Sequence, residues 1–323
     1  MQGYCRIRRG TRHKSGLLLL CCALTTGLLL WWMELQSIQQ PETALPVSIE
    51  SAPPLNVGNV EPDPVQDVPF PSAESAGQQV YLPEIRNETS FLIDPGALPS
   101  GGVTLAPVSG DEPQVLIVHT HSSEAYTPDE THYYVPDDND RTLDTRYNVT
   151  AVGDRIEEVL ERAGISVIHD RSINDYPSYS GSYTRMLDVI ELYLAEYPSI
   201  QVVLDVHRDA IYSDNGDRRA VRTVVGDRSA AQLMLVVGTD EGGLSHEDWE
   251  QNLAFAMSIQ KTADWYYPGL MRPINLRSSR FNQHVSPGAL IVEVGSSGNT
   301  LGEALYSGAL FANILVDTLR TGE

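Results

Sequence analysis

The chain has 323 residues and a formal net charge of −21, from 43 acidic and 22 basic side chains. Such an acidic protein repels nucleic acid and anionic surfaces, so nucleic acid is excluded as its main partner. All three cysteines lie within the first 22 residues. A disulfide framework is therefore excluded for the rest, where a metal site would have to use histidine, aspartate and glutamate.

The N-terminal region is basic and then strongly apolar. Residues 1–15 contain five basic residues and no acidic residue, and the uncharged segment 16–33 follows. As a helix this segment would rise about 27 Å, enough to cross a bilayer core. It ends in bulky residues, including Trp31 and Trp32, rather than the small residues of a cleavage site. We predict a cytoplasmic tail over 1–15 and a single-pass signal anchor over 16–33, with the remaining chain outside the cytoplasm; the alternative is a cleaved signal peptide.

The segment 34–112 is rich in proline and acidic residues, and Arg86 is its only basic residue. A segment of this composition buries too little apolar surface to offset the loss of chain entropy on folding. Its like charges also repel one another and extend the chain. We therefore predict a disordered, acidic, proline-rich linker over 34–112 and a folded catalytic domain over 113–323.

Strand and helix patterns alternate along this predicted domain. Apolar runs indicate buried strands over 115–118, 165–168, 202–206 and 289–294, and a strand pair over 219–225 and 231–237. Apolar residues at helical spacing predict helices over 148–163, 183–197, 246–265 and 301–319. This alternation predicts an α/β fold: a mostly parallel, twisted sheet with helices on both faces.

Two of these strands are followed by residue types that commonly bind metals. His121 and Glu124 follow the first strand with a His-x-x-Glu spacing, and His207 follows the third. In an open α/β sheet, the carboxyl ends of the strands converge on a ligand. Two histidines and one carboxylate leave zinc one open position for water. We predict a Zn2+ ion bound by His121, Glu124 and His207, with Asp144 as the rival to Glu124.

Two further residues bear on this site. Glu293 continues an apolar run in the last strand, and a carboxylate there needs a strong reason to be buried. We predict that Glu293 is the catalytic base, which takes a proton from water and passes it to a leaving amine. The alternative is a carboxylate satisfied by backbone donors. His119 alternates with His121 along its strand, so the two should point to opposite faces.

Four other polar residues are weaker candidates. Arg208 and Asp209 directly follow His207, and Asp209 could orient an imidazole. Arg280 belongs to a group of three arginines that could hold substrate carboxylates by paired hydrogen bonds, and His284 follows it closely. We predict Arg208, Arg280 and His284 as substrate-binding residues. The alternatives are a surface ion pair and a solvated loop.

Four stretches of the chain together resemble the stage II sporulation protein P family: HTHSSEAYTP, YSGSYTR, VVLDVHRDA and RSSRFNQHVSPGALIVEVGSSGNT. The resemblance covers about residues 113–320. It implies a zinc-dependent peptidoglycan hydrolase of sporulating bacteria that cuts the N-acetylmuramoyl–L-alanine amide, and in some members peptide cross-links, during engulfment. It also implies a fold similar to the zinc N-acetylmuramoyl-L-alanine amidases (phosphorylase/hydrolase-like), and stage II sporulation proteins D and M as partners.

The resemblance also bears on the site. It implies that His121, Glu124 and His207 bind the metal and that Glu293 acts in the chemistry. The amidases place their acidic ligand farther downstream of the first histidine, which would favour Asp144 over Glu124. Two other functions stay open: an amidase-like wall-binding module that recruits other hydrolases without cutting, and a carboxypeptidase that trims stem peptides.

Overall fold

Strands and helices alternate through most of the described chain. The computed structural model describes residues 83–98, 103–106, 108, 111–135 and 140–321. The strands are β1 (Ile85–Asn87), β2 (Val115–Val118), β3 (Val167–His169), β4 (Val202–Asp209), β5 (Arg222–Val225), β6 (Arg228–Ala231), β7 (Leu233–Gly238), β8 (Ile274–Arg277) and β9 (Gly288–Ser296). The helices are α1 (Val149–Arg162), α2 (Ser182–Glu196), α3 (Trp249–Tyr266) and α4 (Leu301–Thr321), and a 3-10 turn spans Gln283–Val285.

Seven of the strands form one sheet in the order β1-β8-β7-β9-β4-β2-β3. Its neighbouring strands run parallel, except that β7 is antiparallel to β9. The central strands β2, β4 and β7 are buried almost throughout, as expected for a sheet covered on both faces. The predicted mostly parallel α/β sheet is confirmed.

The two faces of the sheet are covered by different helices. Val115 and Ile117 of β2 belong to a large apolar cluster that includes residues of α1, α3 and α4. Leu116 and Val118 point the other way and pack with Met186 of α2. This alternation follows from the two-residue period of a strand. Helices therefore lie on both faces, as predicted.

The strand order brings the predicted site residues to neighbouring positions. β4 lies between β2 and β9, and all three run in the same direction. Val118, the last residue of β2, pairs with Asp205, and His207 lies directly opposite Glu293. The carboxyl ends of β2 and β4 therefore meet at one edge of the sheet, with Glu293 beside them.

Two of the predicted elements are wrong in detail. The strand pair expected over 219–225 and 231–237 is a short hairpin of β5 and β6 that turns at Gly226 and Asp227. Leu233–Gly238 instead enters the main sheet as β7, since all six of its residues are buried. The third helix begins at Trp249 rather than at His246, and the N-cap residue, Asp248, makes no side-chain capping hydrogen bond.

The predicted disordered linker over 34–112 needs correction at its C-terminal end. Residues Ile85–Asn87 form the edge strand β1, which pairs with β8. The ring of Phe91 stacks on Trp249 with 5.2 Å between centroids. A composition averaged over the whole segment hides a few apolar residues, Ile85, Phe91 and Ile93, which pack against the core of the domain and offset the cost of ordering this part of the chain.

The predicted cytoplasmic tail over 1–15 and signal anchor over 16–33 lie outside the described residues. Within the described ranges, no helix is both long enough and apolar enough to cross a membrane. The anchor therefore stays a prediction from the sequence.

Candidate active site

The turn after β2 carries His121 and Glu124 and is held by a buried carboxylate. Asp175 accepts hydrogen bonds from the backbone N–H of Ser123 (3.1 Å) and from its hydroxyl (2.7 Å). Arg141 forms an ion pair with Asp175, and its guanidinium lies 3.5 Å from Oε1 of Glu124. The turn is closed by the N–H of Glu124, which donates to the carbonyl of His121. Both predicted ligands are therefore presented from one braced turn.

His121 lies among aromatic rings. Tyr179 stacks on its imidazole at 4.3 Å, and Tyr183 meets it edge-on at 5.5 Å. The hydroxyl of Ser182 lies 3.3 Å from Nδ1, which leaves Nε2 for a further ligand. Burial, together with the nearby charge of His207, lowers the pKa of His121 to about 4. The ring is therefore neutral at physiological pH, the state in which an imidazole binds a metal.

His207 lies between two carboxylates. Its Nδ1 is 3.3 Å from Oε2 of Glu124, and its Nε2 is 2.8 Å from Oδ1 of Asp205. The second contact is an ion pair rather than a hydrogen bond, because Nε2 has no properly aligned partner among the described residues. Burial alone would lower the pKa of His207, but the two carboxylates raise this pKa well above its ordinary value. Burial alone would raise the pKa of Glu124, but His207 lowers that pKa to about 2.

Glu293 faces this group from β9, directly opposite His207. It is partly buried, and its Oε2 has no hydrogen-bond partner in the part of the chain that the structure describes. Burial, with the charge of Glu124 as a smaller contribution, raises the pKa of Glu293 to about 8. A buried carboxylate oxygen without a partner needs an explanation, and a reacting water or a nearby cation supplies one.

The chemical types of the donor set, two imidazoles and a carboxylate, fit zinc. Two ligand atoms on a tetrahedral zinc ion, each about 2.0–2.2 Å from it, lie about 3.3–3.6 Å apart. The 3.3 Å between Nδ1 of His207 and Oε2 of Glu124 matches this spacing. The ring of His121 stands perpendicular to that of His207 with 5.3 Å between centroids, so it approaches from a different direction. His121, Glu124 and His207 would hold the ion, and Glu293 lies beside them.

The raised pKa of Glu293 predicts how stability depends on pH in the metal-free protein. The folded state holds the proton up to pH about 8, whereas the unfolded state releases it near pH 4.5, so this group costs increasing stability between these values. Glu293→Gln removes that cost. We expect the difference in unfolding free energy between the variant and wild type to rise with pH by at most about 1.4 kcal/mol per pH unit. This difference should stop rising above pH 8. Urea titrations with a chelator present, from pH 4 to 9, measure this gain, and parallel curves would contradict it.

Asp144 is engaged elsewhere. Both of its carboxylate oxygens accept hydrogen bonds from the Arg146 guanidinium, and the Nε–Oδ1 distance is 2.9 Å. Its side chain is about one third exposed, whereas that of Glu124 is buried against His207. Of the two rivals, the structure brings Glu124 to His207.

Arg208 is buried and holds the backbone of the neighbouring loop. Its guanidinium donates to the carbonyls of Ala125 (2.9 Å) and Asp140 (3.0 Å). Its backbone N–H donates to Oε2 of Glu124 at 3.2 Å. Arg208 therefore braces the loop and Glu124, which differs from the substrate-binding role expected from the sequence.

Arg280 and His284 lie on the loop before β9. Arg280 donates to the carbonyl of Ser245 at 3.1 Å, and the ring of His284 lies 6.5 Å from that of His246. The other two arginines of the predicted group point elsewhere: Arg272 pairs with Asp209 and Arg277 with Glu88. The expected arginine cluster is therefore dispersed, because each guanidinium has its own partner. Phe281, on the same loop, packs against Tyr183 beside His121.

His119 lies away from His121, in a second buried histidine pair. Its Nδ1 is 2.9 Å from the carbonyl of Val206, and its Nε2 is 2.8 Å from Nε2 of His169. Gly153 of α1 packs against both rings: a Cβ there would lie 2.5 Å from Nε2 of His169 and 2.7 Å from that of His119. His119 thus serves packing between β2, β4 and α1.

Among the described residues, the group of Asp154, Glu157 and His169 is the one that brings three potential ligand atoms within 4.8 Å of one another, and the ligand atoms of His121, Glu124 and His207 do not all come that close. The first group is separate from the predicted zinc ligands. Arg171 already pairs with both of its carboxylates, with 2.7 Å between Nε and Oδ1 of Asp154. The guanidinium supplies the positive charge that a metal would otherwise bring, so we do not assign a metal there.

The sequence predictions omit one carboxylate of the site. Asp205 lies two residues before His207 and is buried, with both oxygens bonded to Thr120. The signal that singled out Glu293, a carboxylate within a buried apolar strand, applies to Asp205 as well. Asp209, predicted to orient an imidazole, instead pairs with Arg272 at 2.8 Å.

One protein-family model and one curated relative match this chain. The model of the family described as stage II sporulation protein P matches residues 32–316. A curated protein of that name from Bacillus subtilis (strain 168) is 29% identical over 213 residues, which cover 60% of this chain and 48% of the relative. The chain thus spans about half the length of the curated relative it matches.

Several solved structures of amidases are also similar. The N-acetylmuramoyl-L-alanine amidase AmiC2 of Nostoc punctiforme is 15% identical, with a TM-score of 0.34, over 66% of this chain and 97% of that one. The CwlD amidase from Clostridioides difficile, solved with the GerS lipoprotein, is 11% identical, with a TM-score of 0.38, over 65% and 95%. Identities and scores this low say nothing about the activity of this chain.

Proposed function

The chain belongs to the stage II sporulation protein P family, and we propose that it is a zinc-dependent peptidoglycan hydrolase that cleaves the N-acetylmuramoyl–L-alanine amide during sporulation. The observation that carries the proposal is the arrangement around His207. Glu124 lies 3.3 Å from its Nδ1, His121 stands perpendicular to it, and Glu293 faces it from the next strand with an unpartnered oxygen. Two histidines, one carboxylate ligand and a separate carboxylate base form the donor set of a hydrolytic zinc site.

Each side chain of the site has its own role in the proposed reaction. His121, Glu124 and His207 hold the zinc ion, which when bound polarises the scissile carbonyl and acidifies water. Glu293 accepts the proton of the attacking water and delivers it to the leaving amine of the stem peptide. Its raised pKa, about 8, supports this role, because a proton shuttle works best when its pKa lies near the operating pH.

The proposal extends to location and partners. Residues 16–33 would anchor the chain in the cell membrane with the N-terminus in the cytoplasm, so that the domain acts on the wall outside. Peptidoglycan is the substrate, peptide cross-links are a second class of bond, and stage II sporulation proteins D and M are the proposed partners. The family membership supports this setting.

Metal analysis of the purified full chain tests the ligand set. We expect about one zinc per chain in wild type, and its loss in His121→Ala and Glu124→Ala. Asp144→Ala is the matched control, because it also removes an acidic side chain but one that is paired with Arg146. Zinc lost with Asp144→Ala and kept with Glu124→Ala would transfer the ligand role to Asp144. No zinc in wild type, even after reconstitution, would contradict the zinc enzyme and favour a wall-binding module.

Product analysis separates the reactions that the site could catalyse. On purified peptidoglycan, an amidase releases intact stem peptides and exposes muramic acid carboxyl groups. A carboxypeptidase releases single amino acids, and an endopeptidase separates cross-linked peptides while leaving them on the glycan. Mass spectrometry of the digest distinguishes these products, and the appearance of single amino acids alone would contradict the proposed amidase.

A further inference from the structure

Asp205 connects the two segments that carry the histidines. Its Oδ1 accepts a hydrogen bond from the backbone N–H of Thr120 (2.8 Å), and its Oδ2 accepts one from the Thr120 hydroxyl (2.6 Å). Thr120 directly precedes His121. Oδ1 of Asp205 also lies 2.8 Å from Nε2 of His207, on its own strand. One carboxylate therefore touches the turn of the first histidine and the ring of the second.

This carboxylate is almost fully buried, with 6% of its surface exposed. A charged group in such a place is costly unless it is paired and hydrogen-bonded. The two bonds from Thr120 do not themselves require a charge, because an asparagine oxygen could accept either of them. The negative charge is required only by the contact with His207.

We propose that Asp205 is a positioning residue that orients both zinc-binding histidines. This inference rests on the proposed zinc site. Through its hydrogen bonds with Thr120, the carboxylate fixes the position of the residue that directly precedes His121. Toward His207, its charge favours the proton on Nε2, so that the lone pair of Nδ1 points to the side of Glu124. A carboxylate behind a metal-binding imidazole fixes the ring's tautomer and strengthens it as a ligand.

The same strand offers a matched control. Asp209 lies two residues after His207, as Asp205 lies two residues before it, and it is paired with Arg272 instead. Asp205→Asn and Asp209→Asn make the same chemical change at the same distance along β4. A general effect of removing an acid from this strand would appear in both variants, whereas positioning of His207 would appear only in the first.

The experiment measures zinc affinity of the metal-free full chain by competition with a chromophoric chelator. We expect Asp205→Asn to weaken zinc binding about 10- to 100-fold relative to wild type, and Asp209→Asn to bind as wild type does. Circular dichroism of the metal-free proteins checks that the variants fold. In 15N-labelled, zinc-loaded wild type, the histidine spectra should show His207 bound through Nδ1 with the proton on Nε2.

Zinc affinity in Asp205→Asn equal to that of wild type would overturn the inference while leaving the zinc site standing. A spectrum with His207 bound through Nε2 would also overturn it. If Asp205→Asn does not fold, the histidine spectra of zinc-loaded wild type decide: His207 bound through Nδ1 with the proton on Nε2 supports the inference, and His207 bound through Nε2 overturns it. Absence of zinc binding by wild type would remove the proposed function and this inference together.

Discussion

Glu293→Gln is expected to keep about one zinc per chain and to lower peptidoglycan turnover by about a hundred- to ten-thousand-fold. The amide has nearly the shape of the carboxylate but cannot take a proton from water. The proposed ligands His121, Glu124 and His207 are untouched, so metal binding should persist. Release of dye from labelled peptidoglycan measures the turnover, and metal analysis of the same sample measures the zinc. Glu293→Ala should lose as much activity.

Glu241→Gln is a suitable control for this experiment. Glu241 lies in the loop after β7, is exposed and accepts a hydrogen bond from the backbone of Ser90. The same change of carboxylate to amide there should leave both readouts at wild-type values. Near-normal turnover by Glu293→Gln would remove Glu293 from the mechanism, and loss of zinc would make it a ligand instead of a base.

His207→Ala is expected to abolish stoichiometric zinc binding and, with it, hydrolysis. The substitution removes the proposed ligand, which lies between Glu124 and Asp205. It also leaves these two buried carboxylates facing each other without a cation, and breaking a buried pair typically costs about 3–5 kcal/mol. We therefore expect a lower melting temperature as well as the loss of metal.

The measurement is zinc per chain after dialysis, together with thermal unfolding. His132→Ala is the comparison, because His132 is also partly buried and pairs with a carboxylate, Asp129, at 3.2 Å. That variant should keep its zinc. An unchanged stoichiometry in His207→Ala would exclude His207 as a ligand and would leave the proposed ligand set without its centre.

The sheet could be predicted from the sequence because its information is local. Apolar runs such as 115–118 and 202–206 identify buried strands without knowledge of their partners. Helical spacing does the same for α1, which begins one residue after the predicted start because Asn148 is its N-cap. His121, Glu124, His207 and Glu293 are predicted in the same way, since each lies in or after a strand pattern.

The parts that escaped prediction depend on contacts between distant residues. Strand β1 has only three residues and exists because β8 pairs with it. Arg208 looks like a surface residue in the sequence, but its guanidinium reaches carbonyls of the loop after Glu124. The bonds from Thr120 to Asp205 span 85 residues, and only the pairing of β2 with β4 brings them together. Spacing along the chain contains none of this information.

The close approach of Gly153 to the histidine pair links three positions that are far apart in the chain. A larger residue at 153 would force the rings of His119 and His169 to shift, because its Cβ would lie within 2.7 Å of both Nε2 atoms. The amino-acid substitutions tolerated at any one of these positions therefore depend on the residues at the other two. In divergent relatives, a larger residue at the position of Gly153 should occur together with smaller residues in place of the histidines, so that the three positions covary.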